Sequence, residues 1–201
     1  KADERNVRAM QLLAQVYFKE SKIELARLVL ENARTIDAND AATHNALGLV
    51  FLQLKQRPQA LESFRQATLL KPDFAEARNN FGSMLNEASD FEAAAKELKA
   101  AVNAAPDFVL AHLNLGNAYR GLQQAPNAIA EYRLAQKARP DLADVSFNLG
   151  VTYLDQELPG IDTTERFKTA ITHFNQYREK GGKDDRVDQY IKDANKGIEK
   201  E

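Results

Sequence analysis

The stretch LGLVFLQLKQRPQALESFRQATLLKP, residues 47–72, decides the fold. Leu47, Gly48 and Phe51 fall at helical spacing, and so do Ala60, Phe64 and Ala67 after them. Pro58 suits the first turn of a helix, where its missing N–H costs little. Pro72 stops that helix, because the residue before a proline disfavours helical backbone and proline donates no hydrogen bond. The stretch reads as helix, tight turn, helix and stop.

Outward from it the same unit recurs. Gly48, Gly82, Gly116 and Gly150 stand 34 residues apart, with Ala14 one period earlier. In phase run Ala26, Ala60, Ala94 and Ala128, then Ala33, Ala67, Ala101 and Ala135, then Pro72, Pro106 and Pro140. A fixed period of this length marks stacked repeats, each burying its apolar face against its neighbours. Small residues at these places let helix axes approach closely. Asp73, Asp107 and Asp141 follow the prolines and are expected to cap the next first helix, Asp73 with Glu76 as a capping box.

The expected organisation is one domain over 1–201: repeats 7–40, 41–74, 75–108, 109–142 and 143–184, then a capping helix over 185–201. In the fifth repeat an insertion at about 155–164, within DQELPGIDTTERF, postpones the second helix by eight residues. Asp162 and Glu165 have capping-box spacing there. Phe167, Ala170, Ile171, Phe174 and Tyr177 continue that helix to the break at Gly181 and Gly182. Val187, Tyr190, Ile191, Ala194 and Ile198 give the last helix one apolar stripe.

Composition narrows the function. Charged residues are 28 % of the chain but the net charge is −2, so no field of one sign invites nucleic acid or an anionic membrane. Without cysteine there is no disulfide, thiolate metal site or cysteine nucleophile. His44 and His112 hold the same place two repeats apart, too distant to share a metal, and with His173 they read as structural. No phosphate loop, H-E-x-x-H pair or nucleophile elbow occurs. No enzyme and no cofactor are therefore expected. No apolar run is long enough to span a bilayer. The chain starts at Lys1 rather than Met, as expected of a trimmed fragment whose lipid-attachment site could lie upstream. Oligomeric state stays open, as does the choice between a periplasmic, outer-membrane-tethered location and the cytoplasm.

Leu47, Gly48, Phe51, Ala60, Phe64, Ala67 and Pro72 resemble the tetratricopeptide repeat (TPR) pattern, and the likeness covers residues 7 to about 178. The first copy departs from it with Ala14 for Gly and Ala38 for Pro. The resemblance implies an all-α, right-handed α-solenoid that binds a protein or peptide. It also implies that the first helices line a concave groove. The residues so placed are Asn45, Leu49 and Leu52, then Asn79, Asn80, Ser83 and Asn86, then Leu113, Asn114, Asn117 and Arg120, then Phe147, Asn148 and Val151. Phe18 and Phe147 are expected either as groove anchors or as core.

Asn80, Asn114 and Asn148 form a row at one place of the repeat. An amide offers donors and an acceptor, so such a row can hold the backbone of an extended peptide. Asparagine costs at most about 0.7 kcal/mol against alanine inside a helix, so three copies carry a small penalty. The other reading is hydrogen bonding between neighbouring repeats. The row resembles the asparagine ladder of O-linked N-acetylglucosamine transferases, although Ala46 and Leu12 break it in the earlier copies. That likeness implies, as one alternative, the recognition arm of a larger enzyme. A two-carboxylate clamp for chaperone tails needs more inward cations than Arg120. The segments LPGIDTTERFKTAITHFNQYREKGG and DQYIKDANKGIEKE resemble TPR lipoproteins of bacterial gliding and type IV pilus machines. That resemblance implies an assembly component docking by its convex face, insertion or ends.

Overall fold

The computed structural model describes residues 2–200, with side chains from 6 to 200; Glu201, the last residue of the expected capping helix, lies outside them. The described residues form eleven helices and no strand: α1 (Ala2–Lys19), α2 (Ile23–Ile36), α3 (Ala41–Gln53), α4 (Arg57–Leu70), α5 (Ala75–Glu87), α6 (Phe91–Ala104), α7 (Val109–Gly121), α8 (Ala125–Ala138), α9 (Ala143–Asp155), α10 (Thr163–Glu179) and α11 (Arg186–Ile198). The chain divides into two compact units, Lys1–Met84 and Leu85–Glu201, with the boundary inside α5.

The first unit holds the hairpins α1–α2 and α3–α4, with α2 packed on α3. In its core Ala14, Ala26, Leu30, Leu47, Val50, Phe51, Ala60 and Phe64 are buried together. The second unit stacks α7 on α6, α8 on α7, and α9 on α8, and closes with α10 and α11. Its main core gathers Leu113, Ala128, Tyr132, Leu149, Phe174 and Val187.

Three of the four repeated glycines serve ring packing; in the repeat of Gly82 the ring's place holds Leu98. A Cβ on Gly48 would lie 2.5 Å from the Phe64 ring, one on Gly116 2.4 Å from Tyr132, and one on Gly150 2.6 Å from Phe174. Phe174 is the counterpart of Tyr132 displaced by 34 + 8 residues, so the insertion has the eight-residue length expected from sequence. In the first copy the ring's place is taken by Leu30 and the glycine's by Ala14, both buried in one core.

The turns inside the repeats share one geometry. Ser21, Lys55, Ser89 and Gln123, each 34 residues from the next, all have φ near +60°. Lys55 N–H donates to Leu52 O at 2.9 Å and Gln56 N–H to Phe51 O at 2.8 Å. The same pair of bonds closes the helices at Ser21, Ser89 and Gln123. This is a Schellman close, here without glycine at its left-handed place.

Between repeats the chain turns differently from expectation. Phe74 N–H donates to Lys71 O, Phe108 N–H to Ala105 O and Leu142 N–H to Arg139 O. Each Pro-Asp pair thus fills the middle of a β-turn, where proline's fixed φ suits the second place. Asp73, Asp107 and Asp141 are turn residues rather than caps: α5 starts two residues after Asp73, and the N-caps of α7 and α9 are Phe108 and Leu142, without side-chain cap bonds. Asp141 instead accepts from Arg139 Nε and Nη2, both at 2.9 Å. Side-chain caps do occur at Asp40 on α3, Asp90 on α6 and Asp162 on α10. Pro58 and Pro126 sit in the first turns of α4 and α8, as expected.

α11 covers the end of the second unit. Val187 and Ala194 are buried, Tyr190 stacks on Phe174 at 5.5 Å, and Arg178 pairs with Asp188. Arg166 ties down the insertion by donating from Nη1 to Tyr153 O at 2.8 Å and Leu154 O at 2.6 Å, at the carbonyl end of α9.

Candidate protein-binding surfaces

In the first unit a hollow of about 300 Å³ lies between the first two repeats, its wall predominantly apolar. Gln11, Ala14, Gln15 and Phe18 of α1 line one side, and Asn45, Ala46 and Leu49 of α3 the other, with Phe74 at the edge. These residues follow from helical spacing: on α1 the places 11, 15 and 18, on α3 the places 45 and 49, share one face. Leu49 is 41 % exposed, an apolar side chain held open to solvent. Asn80 Nδ2 donates to Asn45 Oδ1 at 3.0 Å, so the Asn45 carbonyl is engaged and its NH2 is the group left to meet a ligand. Gln11 is fixed by donating to Asp40 Oδ2 and to Thr43 Oγ1. Leu52 and Ser83 are half-buried and Asn79 is buried.

Phe18 lines the hollow and is also half-buried against the core of the first unit, so both places open to it on sequence grounds apply. Gln11, Gln15 and Phe18 hold in the first copy the places of Asn45, Leu49 and Leu52, and of the three only Phe18 is a groove candidate from sequence. Subtracting 34 from Asn45, Leu49 and Leu52 gives these three numbers, so the period itself carried the signal.

In the second unit the inward residues are more closely engaged. Asn86 Nδ2 donates to Asn114 O at 2.9 Å, and Asn117 Oδ1 accepts from Tyr132 Oη at 2.8 Å. Asn148 Nδ2 donates to Asp144 O at 2.9 Å, one turn back on its own helix. Leu113 and Val151 are buried. Phe147 packs against Tyr177 at 5.3 Å, against Phe174 and Tyr190, and under the Arg186 guanidinium, so it belongs to the core closed by α11.

A polar cluster surrounds Arg120. Its carbonyl accepts from Gln156 Nε2 at 2.7 Å, while its Nε and the Gln156 Oε1 are buried without a hydrogen-bond partner. Burial pushes the Tyr132 phenol up to about 12, against the opposing pull of the Arg120 charge. Burial also raises the Asp155 carboxyl, with Arg120 and Arg166 opposing it. Gln156 and Arg166 lie beyond the regular register, since the insertion displaces them, and no repeat-based signal points to them.

The histidines are structural. His44 Nε2 meets Ala38 O at 2.9 Å; the matching His112 Nε2 meets Pro106 O at 2.8 Å, and its Nδ1 faces Glu131 Oε2 at 2.6 Å. Among the described residues no group of three His, Cys, Asp or Glu is placed to hold a metal, and no helix is long and apolar enough to cross a membrane.

The tetratricopeptide repeat family pattern matches residues 45–107, 87–143 and 113–185. Among solved structures, pilF of Pseudomonas aeruginosa is similar with a TM-score of 0.79 at 20 % identity, over 100 % of this chain and 90 % of that one. PilW, described as a widely conserved type IV pilus biogenesis factor, gives 0.77 at 21 % identity, over 96 % and 89 %. YrrB, described as a TPR protein with an unusual peptide-binding site, gives 0.73 at 16 % identity, over 96 % and 98 %. No curated protein matches the sequence.

Proposed function

Because this chain belongs to the tetratricopeptide repeat family, we propose that it is a non-enzymatic scaffold that takes a segment of a partner protein along the inward faces of its first helices. The observation that carries this reading is the hollow of the first unit: apolar walls with exposed Leu49, edged by the Asn45 amide. Apolar walls with a few convergent amides suit a peptide whose side chains alternate between pocket and solvent while its backbone meets the amides. Replacing Asn80, Asn114 and Asn148 together by alanine is expected to weaken partner capture while the helical signal persists. In the direct test a photo-crosslinking amino acid replaces Leu49, or Lys96 on an exposed place of α6. Adducts from the native host at Leu49 and not at Lys96 support the groove; adducts at Lys96 alone overturn it.

A second reading draws on the similarity to pilF and PilW, the latter described as a pilus biogenesis factor. It makes this chain an assembly component of an envelope or motility complex, docking by the insertion at 156–162. Deleting 158–164 separates the two readings, because groove capture tolerates the shorter loop and insertion-dependent docking does not.

A further inference from the structure

The hollow of the first unit has a definite length and capacity. It is a trough between α1 and α3, with Gln11 and Ala42 towards one end and Phe18 and Lys19 towards the other. From Gln11 to Lys19 a helix rises about 12 Å at about 1.5 Å per residue. The trough holds about 300 Å³, twice the roughly 150 Å³ of an apolar cavity that takes up one benzene ring. It therefore has room for two large apolar side chains. On an extended segment the side chains of one face recur about every 6.7 Å, so two fit the length and a third overshoots it.

Its two ends differ in charge. Exposed Lys19 lines the hollow, and its counterparts are Gln53, Glu87 and Gly121, so no other copy brings a cation to this place. The adjoining Glu20 pairs with Lys22 at 2.8 Å. The equivalent turn of the next repeat adds Lys55 and no acid, so this edge of the first unit is basic. The opposite end is mixed. A second hollow that shares Gln11 is bordered by Asp37 and Asp40 but also by Arg8, and Lys71 lies over the Phe74 ring at 5.2 Å. A charged ligand group is thus favoured at one end only, and there it must be an anion.

We propose that the hollow selects an extended partner segment bearing two apolar side chains two residues apart, with Asp or Glu one or two residues beyond them on the side that reaches Lys19. The inference rests on the groove reading and adds to it the number of anchors and the charge. The roles divide by energy. The apolar pair, seated beside exposed Leu49, supplies the affinity. An exposed ion pair changes affinity by no more than about 5-fold, enough to favour one way round for the segment but not to hold it. Lys19 is accordingly a specificity residue, and Leu49 a residue of the binding site itself.

The test is selection on the full chain from a random library of peptides about nine residues long, enough to overrun the trough. Enriched peptides are then synthesised and their affinities read by fluorescence anisotropy. They are expected to carry apolar, any, apolar with an acid on one consistent flank. Lys19→Glu copies the residue of the third repeat, so the fold tolerates it, and circular dichroism verifies that. It should weaken these peptides roughly 3- to 10-fold, while Lys19→Arg leaves them unchanged, and the difference should shrink as salt rises from about 50 to 500 mM. Selection repeated on Lys19→Glu should replace the acid by Lys or Arg. Peptides enriched without an acid, peptides bound equally by Lys19→Glu, or a library without a binder overturn the inference. Binders lost on Leu49→Glu but indifferent at Lys19 overturn it alone; binders indifferent to Leu49→Glu overturn the groove reading with it.

Discussion

Gly48→Ala is the sharpest test of how this repeat packs. Alanine is the better helix former by about 1 kcal/mol, so an exposed mid-helix glycine gains stability on this change. Here the new Cβ would stand 2.5 Å from Phe64 Cε1, about an ångström inside van der Waals contact, and the Phe64 ring is fully buried with nowhere to retreat. Overpacking costs about 1–3 kcal/mol, and with three ring atoms within 2.8 Å of the new Cβ the upper part of that range, about 2–3 kcal/mol, applies; after the propensity gain a net loss of about 1–2 kcal/mol remains. The first repeat shows the remedy, since Ala14 and Leu30 occupy the two places together. Phe64→Leu alone loses ring contacts and should cost about 1–1.5 kcal/mol, but Gly48→Ala/Phe64→Leu should lie no more than about 1 kcal/mol below the wild type. Urea unfolding followed by circular dichroism reads the four members of the cycle as midpoint shifts, with the slope checked for constancy because repeat proteins unfold piecewise. A neutral Gly48→Ala, or two losses that simply add in the double variant, would refute the ring-over-glycine account.

Three further outcomes follow from local geometry. Lys55 sits at φ +60°, so Lys55→Gly should raise stability by up to about 1 kcal/mol, read as a higher melting temperature; an unchanged or lower value counts against strain at that turn. Arg166→Met keeps the stem and removes the bonds to the carbonyl end of α9, for a loss of about 2 kcal/mol and roughly 30-fold faster amide exchange in 155–162 by local opening. Burial holds the His173 imidazole below its ordinary 6.5, with Arg133 and Lys180 adding to the effect and a bond to Gln176 opposing it. The unfolded chain then takes up that proton first, so stability is full above 6.5 and declines as pH falls through it; His173→Gln should flatten the urea midpoint between pH 7.5 and 5.5, conditions that straddle the ordinary histidine value.

The helix pairs were legible because two periodicities coincide: 3.6 residues within helices and 34 along the chain. Pro58 and Pro126 announced helix starts, and the counterpart of Tyr132 could be found at Phe174 by counting the insertion. The left-handed turn residues gave no such signal. Ser21, Lys55, Ser89 and Gln123 share no chemistry, because the Schellman bonds are made by backbone and any residue bearing the strain can stand there. The capping expectation for Asp107 and Asp141 failed for a related reason: an aspartate just before a helix and one inside a Pro-Asp β-turn look alike in sequence, and only the bond closing at Phe108 or Leu142 tells them apart.

The asparagines show why a shared place in a repeat does not fix a shared role. Asn80 gives its NH2 to the Asn45 carbonyl on the preceding repeat, which favours the inter-repeat reading at that place. Asn148 turns the same group back to Asp144 O on its own helix. What differs is the residue 35 places earlier, on the preceding repeat: Asn80 has an amide oxygen within reach at Asn45, whereas the counterpart of Asn45 for Asn148 is Leu113, whose side chain accepts nothing. A donor in a half-buried groove takes the nearest acceptor, so the neighbours set the partner and the ladder is uniform only in sequence. A peptide taken up along α9 thus meets an Asn148 amide that is turned back on its own helix by the bond to Asp144 and has one of its two N–H donors already spent. In the first unit both N–H donors of Asn45 are open, and the apolar hollow lies beside them. Binding energy should accordingly concentrate there, and Leu49→Glu should weaken a captured peptide more than Asn148→Ala does.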